Sequence, residues 1–117
     1  MTRVCDIESF LYDWAPRDLA MSWDNVGLLV GDGDAEVHKV LVALDAEAVA
    51  VGADLIVAHH PLMNCVWHKV QHVTTCDAQG RTITTLLKNG VSAICMHTNL
   101  DCAAGGVNDV LLQRLGL

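Results

Sequence analysis

Three short apolar runs, each ending in ionisable side chains, constrain this chain more than any other feature. They are "KVLVALDA" at 39–46, "DLIVAHH" at 54–60 and "VSAICMH" at 91–97. Runs without polar alternation read as strands covered on both faces, the habit of parallel sheets. Between them lie stretches of helical character, "AEAVAVGA" closed by Gly52 and "RTITTLLKNG" closed by Gly90. Strand and helix in alternation predict parallel pairing. The expected fold is α/β: a single three-layer-like unit with a mainly parallel or mixed sheet flanked by helices.

The flanking segments extend that plan. "CDIESFLYDWAP" predicts a helix with Asp6 as N-cap, Ile7, Phe10, Leu11 and Trp14 at helical spacing, and Pro16 stopping it. Gly27 to Val30 reads as a short strand. "AAGGVNDVLLQRLGL" predicts a last helix with Val107, Val110, Leu111 and Leu115 on one face. Met63 to Gly80 has no clear period and reads as a long functional loop. No repeat or linker divides the chain, so residues 1–117 are expected to form one domain.

Composition excludes some functions. The chain is 52% hydrophobic, with a mean hydropathy of +0.34. Yet its most apolar region, Val40 to Ala58, is interrupted by Asp45, Glu47 and Asp54, so no membrane span is expected. The net charge is −7, and the seven bases are scattered. That argues against a nucleic-acid partner and suits a cation. The five cysteines include no C-x-x-C pair, and the opening residues lack the apolar core of a signal peptide. This pattern predicts free thiols in a reducing cytoplasm. Each thiol is expected to act as a small buried hydrophobe, with Cys102, beside Asp101, as the exception.

The polar tips of the strands carry the chemistry. In an open parallel sheet the carboxyl ends of the strands share one rim, where ligands bind. That rim would gather Asp45, the doublet His59–His60, and His97 with Asp101 four residues on. Adjacent residues on a regular strand point to opposite faces. Where the chain turns at a strand end, diverging imidazoles could serve two ions, about 3.5–4 Å apart in two-metal sites. A histidine pair hydrogen-bonded to backbone is the plainer alternative. Asp101 could reach the same rim or cap a helix starting near Ala103. His97 could donate a hydrogen bond that orients ligands. Imidazole and carboxylate together suit Zn²⁺, Mn²⁺, Fe²⁺ or Ni²⁺. Asp24 and Asn25, ahead of Gly27, read as turn chemistry, and Gly105–Gly106 as a helix entry. His38, His68 and His72 read as surface residues.

With these motifs in hand, the chain resembles the YbgI-like dinuclear metal proteins, also known as type 2 GTP cyclohydrolase I and Nif-three-like interacting factors. "WDNVGLLVGD", "DLIVAHHPL" and "HTNLDCAAGGVNDVL" carry the resemblance, in order across Trp23 to Leu112, and "VLVALDA" fits it. The resemblance implies an α/β fold with a two-metal site. It implies His59, His60 and Asp101 as metal ligands, and His97 beside the metals as a catalytic proton carrier or an orienting group. It also implies divalent metal cofactors, a cytoplasmic location and assembly into homo-oligomers, often ring-shaped hexamers.

Members of that family are about twice as long, and their distal half supplies a further histidine and a bridging glutamate. Here the only glutamates are Glu8, Glu36 and Glu47. The chain therefore looks like the family's N-terminal half: a fragment, a truncated product, or one part of a split protein. Its partner would be a second copy or the missing C-terminal half. Two ions want at least six ligand positions, and three protein ligands cannot fill them. Weak or single-metal occupancy is expected, with Asp24 and Asp45 as further candidates. The function this implies is a metal-dependent hydrolase, GTP cyclohydrolase type 2-like, acting on an unidentified small molecule. The alternatives are a non-catalytic metal-binding or interaction module, or an inactive fragment.

Overall fold

A computed structural model describes residues 1–46, 52–63 and 73–117. The helix expected at 46–53, the two histidines His68 and His72, and Cys65 fall wholly or mainly outside them.

The four strands are β1 (Gly27–Val30), β2 (Val40–Ala43), β3 (Leu55–Ala58) and β4 (Ser92–Cys95), in the spatial order β1-β4-β3-β2. The three apolar runs pair in parallel, with Ala43, Ala58 and Cys95 level with one another. β1 joins antiparallel to β4, so the sheet is mixed. The ladder continues past the strand ends: the His59 and His60 N–H groups donate to Ala43 and Leu44 carbonyls, and Met96 N–H donates to Ala58 O. The three polar tips are thereby brought to one edge of the sheet.

The two-residue period of a strand divides the core in two. On one face Ile56 and Ala93 pack with Ile83 and Leu86 of α2 (Ala78–Lys88). On the other, Leu55 and Ile94 pack with Met96 and with Val4 of α1 (Val4–Trp14). That is the helix–sheet–helix layering expected. α2 is capped by Asp77, whose side chain accepts from Gly80 N–H.

The structure corrects several sequence expectations. Arg3, not Asp6, is the N-cap of α1. Asp6 lies at the third helical position and its carboxylate accepts the Arg3 N–H at 2.8 Å. The buried stripe of α1 is Val4, Ile7, Leu11 and the following Ala15, whereas Phe10 is 69% exposed and Trp14 is held outside by an indole hydrogen bond to Ala104 O. α4 (Val107–Leu115) forms, but Val110, Leu111 and Leu115 are exposed. A spacing pattern identifies a helix face without saying what covers it. Of the described thiols only Cys95 is buried; Cys76 and Cys102 are exposed.

Gly27 is required at the start of β1. Its φ is +100°, and a Cβ there would run into the Tyr12 hydroxyl and Glu8 Oε1. Glu8 Oε1 itself accepts the Leu28 N–H at 2.7 Å, tying α1 to the strand.

Candidate metal centre

β3 ends at Ala58, so His59 and His60 have left the strand before their side chains diverge fully. Their ring centroids are 5.2 Å apart, and that of His97, from the end of β4, is 5.0 Å from His59 and 5.9 Å from His60. One ring nitrogen from each of the three lies within 4.8 Å of the others. The doublet thus converges with His97 on one patch, whose span also accommodates the two-ion arrangement.

Each ring is held by its Nδ1. That of His59 lies 2.9 Å from Met96 O, that of His60 2.8 Å from Asp45 Oδ1, and that of His97 3.0 and 3.1 Å from the Asp24 carboxylate oxygens. A carbonyl accepts only, and so does an ionised carboxylate. Each Nδ1 must therefore carry the proton, which leaves the neutral ring's lone pair on Nε2. Metal-binding histidines are commonly held in this way. Asp45 and Asp24 thus orient imidazoles from behind; they are not placed as further ligands.

Asp101 belongs to α3 (Thr98–Cys102), a short helix absent from the sequence expectation, and α4 is capped at Gly106. Its Oδ1 is 3.6 Å from His59 Nε2. Two ligand atoms about 2.0–2.1 Å from one tetrahedral ion would be roughly 3.3–3.4 Å apart. The three imidazoles form a group able to hold a metal ion, and Asp101 lies beside His59 at a spacing that two ligands of one ion can take. His38, by contrast, is on the surface near Glu36, away from the cluster.

"HTNLD" is a stitched corner. Thr98 Oγ1 accepts the Met21 N–H and donates to Asp24 Oδ2. Asn99 is fully buried; its amide nitrogen donates to Ala15 O and its Oδ1 accepts the His97 N–H. Thr98 and Asn99 help to build the corner beside the imidazoles, which spacing does not pick out; their signal is two buried polar residues. Asn25 Nδ2 donates to Met63 O, so this residue of "WDN" ties the β1 entry to the segment after the histidine doublet.

The electrostatics are local. Burial pushes the Asp24 carboxyl up, but hydrogen bonds from Thr98, His97 and the N–H groups of Thr98 and Asn25 outweigh it and hold the group below its ordinary 3.8. Asp54 is also held below 3.8, by the N–H groups of His38 and Lys39. Burial raises the Cys95 thiol to about 12, so it stays neutral and donates to His59 O. A carboxylate more acidic when folded adds stability above its ordinary pKa, and that stability is lost as pH falls through the folded value. The thermal midpoint is thus expected to fall as pH is lowered from about 4 toward 2. Circular dichroism melts would check this; a midpoint unchanged or rising through that window contradicts it.

A mixed sheet flanked by helices, with three histidines gathered at its carboxyl rim, defines an α/β protein with a candidate metal centre. The chain belongs to the Duf34/NIF3 (NGG1p interacting factor 3) family, whose model matches residues 2–117. It is 42% identical over 117 residues to the GTP cyclohydrolase 1 type 2 homolog of Clostridium perfringens, covering 95% of this chain and 44% of that protein. A Staphylococcus aureus protein of the same name is 41% identical over 123 residues, covering 98% and 32%. The crystal structure of a Bacillus cereus protein related to NIF3 superposes with a TM-score of 0.88 at 38% identity, covering 99% of this chain and 33% of that one. Reduced HcgD from Methanocaldococcus jannaschii gives 0.87 at 32%, covering 99% and 48%. This chain therefore spans less than half the length of those curated relatives. Among the described residues no helix is long and apolar enough to cross a membrane.

Proposed function

We propose that this chain is the divalent-metal-binding unit of a hydrolase, with His59, His60 and Asp101 holding one ion and His97 handling protons beside it. The observation that carries this reading is the trio of imidazoles, within 4.8 Å of one another, each with Nδ1 fixed by an acceptor. A divalent ion, when bound, supplies Lewis acidity and lowers the pKa of water. His97 offers the Nε2 lone pair as the base that accepts a proton and later returns it to the leaving atom. The donor set suits Zn²⁺, Mn²⁺, Fe²⁺ or Ni²⁺.

An open cleft of about 280 Å³ adjoins the trio, lined by Asp45, His60, Pro61, Leu62, Gln79 and Thr82. It has room for a compact polar substrate. The name borne by the curated relatives supports a purine nucleotide, opened by water attack at a ring carbon between two nitrogens. A second copy of this chain, or the part of the relatives' length that it does not span, would complete the coordination. Exposed free thiols at Cys76 and Cys102 suit a reducing, cytoplasmic setting. A second reading, a metal-holding interaction module without turnover, is favoured by the family's description as an interacting factor.

Calorimetric titration with Zn²⁺ and Mn²⁺, followed by assay for loss of GTP purine absorbance, tests both readings. One ion per chain with turnover above a metal-only blank supports the hydrolase. Binding without turnover favours the module. No binding contradicts both.

A further inference from the structure

Asp24 is the most enclosed charged group at the site, its side chain only 1% exposed. Its Oδ1 accepts the Asn25 N–H at 2.8 Å, and its Oδ2 accepts the Thr98 N–H at 3.0 Å and the Thr98 hydroxyl. Both oxygens are thereby committed to donors that cannot change role, since a peptide N–H only donates. His97 Nδ1 is the remaining neighbour, within hydrogen-bond reach of both oxygens. A carboxylate so surrounded has no proton to offer, and the ring must donate to it.

We infer that Asp24, seated by Thr98 and the Asn25 backbone, is a positioning residue that locks His97 in the Nδ1–H tautomer and keeps its Nε2 lone pair available to the imidazole trio. The consequence for proton transfer rests on the proposed function; the tautomer does not. The lock also explains why two distant segments meet here. Thr98 Oγ1 accepts the Met21 N–H at 2.9 Å and donates its own proton to Asp24, so the segment before β1 and the corner after β4 are fixed together.

An amide cannot replace this carboxylate. With its oxygen at the Oδ2 position, its NH₂ would face the Asn25 N–H and His97 Nδ1. With the oxygen at the Oδ1 position, the NH₂ would face the Thr98 N–H and hydroxyl. Either way the NH₂ meets a peptide N–H, and with the NH₂ at the Oδ1 position His97 Nδ1 gains a donor to accept from, which releases the lock. Loss of an orienting partner of this kind costs roughly 10–100-fold in activity where the oriented ring takes part in the reaction.

The test is a long-range ¹H–¹⁵N correlation spectrum of the histidine rings, recorded on the metal-free chain at a pH where His97 is neutral. In the unaltered protein, His97 is expected to give a pyrrole-like Nδ1 and a pyridine-like Nε2. In Asp24→Asn the opposite tautomer is expected to appear. Thr98→Ser keeps the hydroxyl and is expected to keep the wild-type ring pattern. A pyrrole-like Nε2 on His97 in the unaltered protein overturns the inference, whether or not the asparagine variant folds. So does an Asp24→Asn variant that melts earlier but keeps the Nδ1–H ring, because Asp24 would then serve stability alone. A locked tautomer in a chain that binds no Zn²⁺ upholds the lock and contradicts the proposed metal function instead.

Discussion

Replacing His59 with alanine is expected to weaken Zn²⁺ binding by on the order of 100-fold, at or beyond the upper end of what losing a merely orienting partner costs. His59 is the imidazole that faces Asp101 as well as both other rings. Its Nδ1 is held by Met96 O, its Nε2 faces Asp101 Oδ1, and its ring neighbours both His60 and His97. The ladder bond from His59 to Ala43 uses only backbone and survives the change. The side chain is 21% exposed, so the sheet should remain intact. Competition against a chromophoric chelator would measure the affinity, with circular dichroism reporting the fold. His38→Ala, at the surface beside Glu36, should leave the affinity unchanged. Equal affinity for the wild type and His59→Ala would remove His59 from the ligand set.

Leu55→Ala should cost about 2–5 kcal/mol of stability, as large-to-small changes at closed core positions do. Leu55 is fully buried at the start of β3, among Val4, Ala15, Ile94 and Met96. It links α1 to the strand that carries His59 and His60. Single domains are stable by only about 5–15 kcal/mol, so this loss is a large fraction of the total. A thermal midpoint lower by roughly 10 °C or more is expected. A urea titration with a cost below about 1 kcal/mol would mean that the layer between α1 and the sheet is looser than its burial indicates.

Much of the plan is legible in the residues because it rests on repeated patterns. Three apolar runs mark the parallel strands, and their polar ends mark the rim. Asp45, His59, His60, His97 and Asp101 all stand at or shortly beyond the end of a run. The pattern does not carry the division of labour. Asp24 and Asp45 sit far from their histidines in sequence, so nothing in their spacing marks them as partners for Nδ1 atoms. Asp24 next to Asn25 before a glycine is also good turn chemistry, and that local reading conceals a buried carboxylate. The α1 stripe misleads for a similar reason. Phe10 and Trp14 are large apolar residues at helical spacing, yet the smaller Val4 and Ala15 are the ones buried against the sheet. Spacing identifies a face only to within about one residue of a 100° turn.

The doublet shows how local geometry decides chemistry. A regular strand would send His59 and His60 to opposite faces. β3 stops one residue earlier, and Asp45 and Met96 O catch the two Nδ1 atoms separately. Convergence is therefore a product of the partners, with β3 supplying only the position.

Diffraction from crystals soaked in Zn²⁺, with data collected across the zinc absorption edge, tests the metal centre most directly. The expected result is one anomalous peak at about 2.0–2.2 Å from a ring nitrogen of His59, a ring nitrogen of His60 and an Asp101 oxygen. A peak elsewhere on the chain, or none at a concentration where calorimetry records binding, would contradict the assignment.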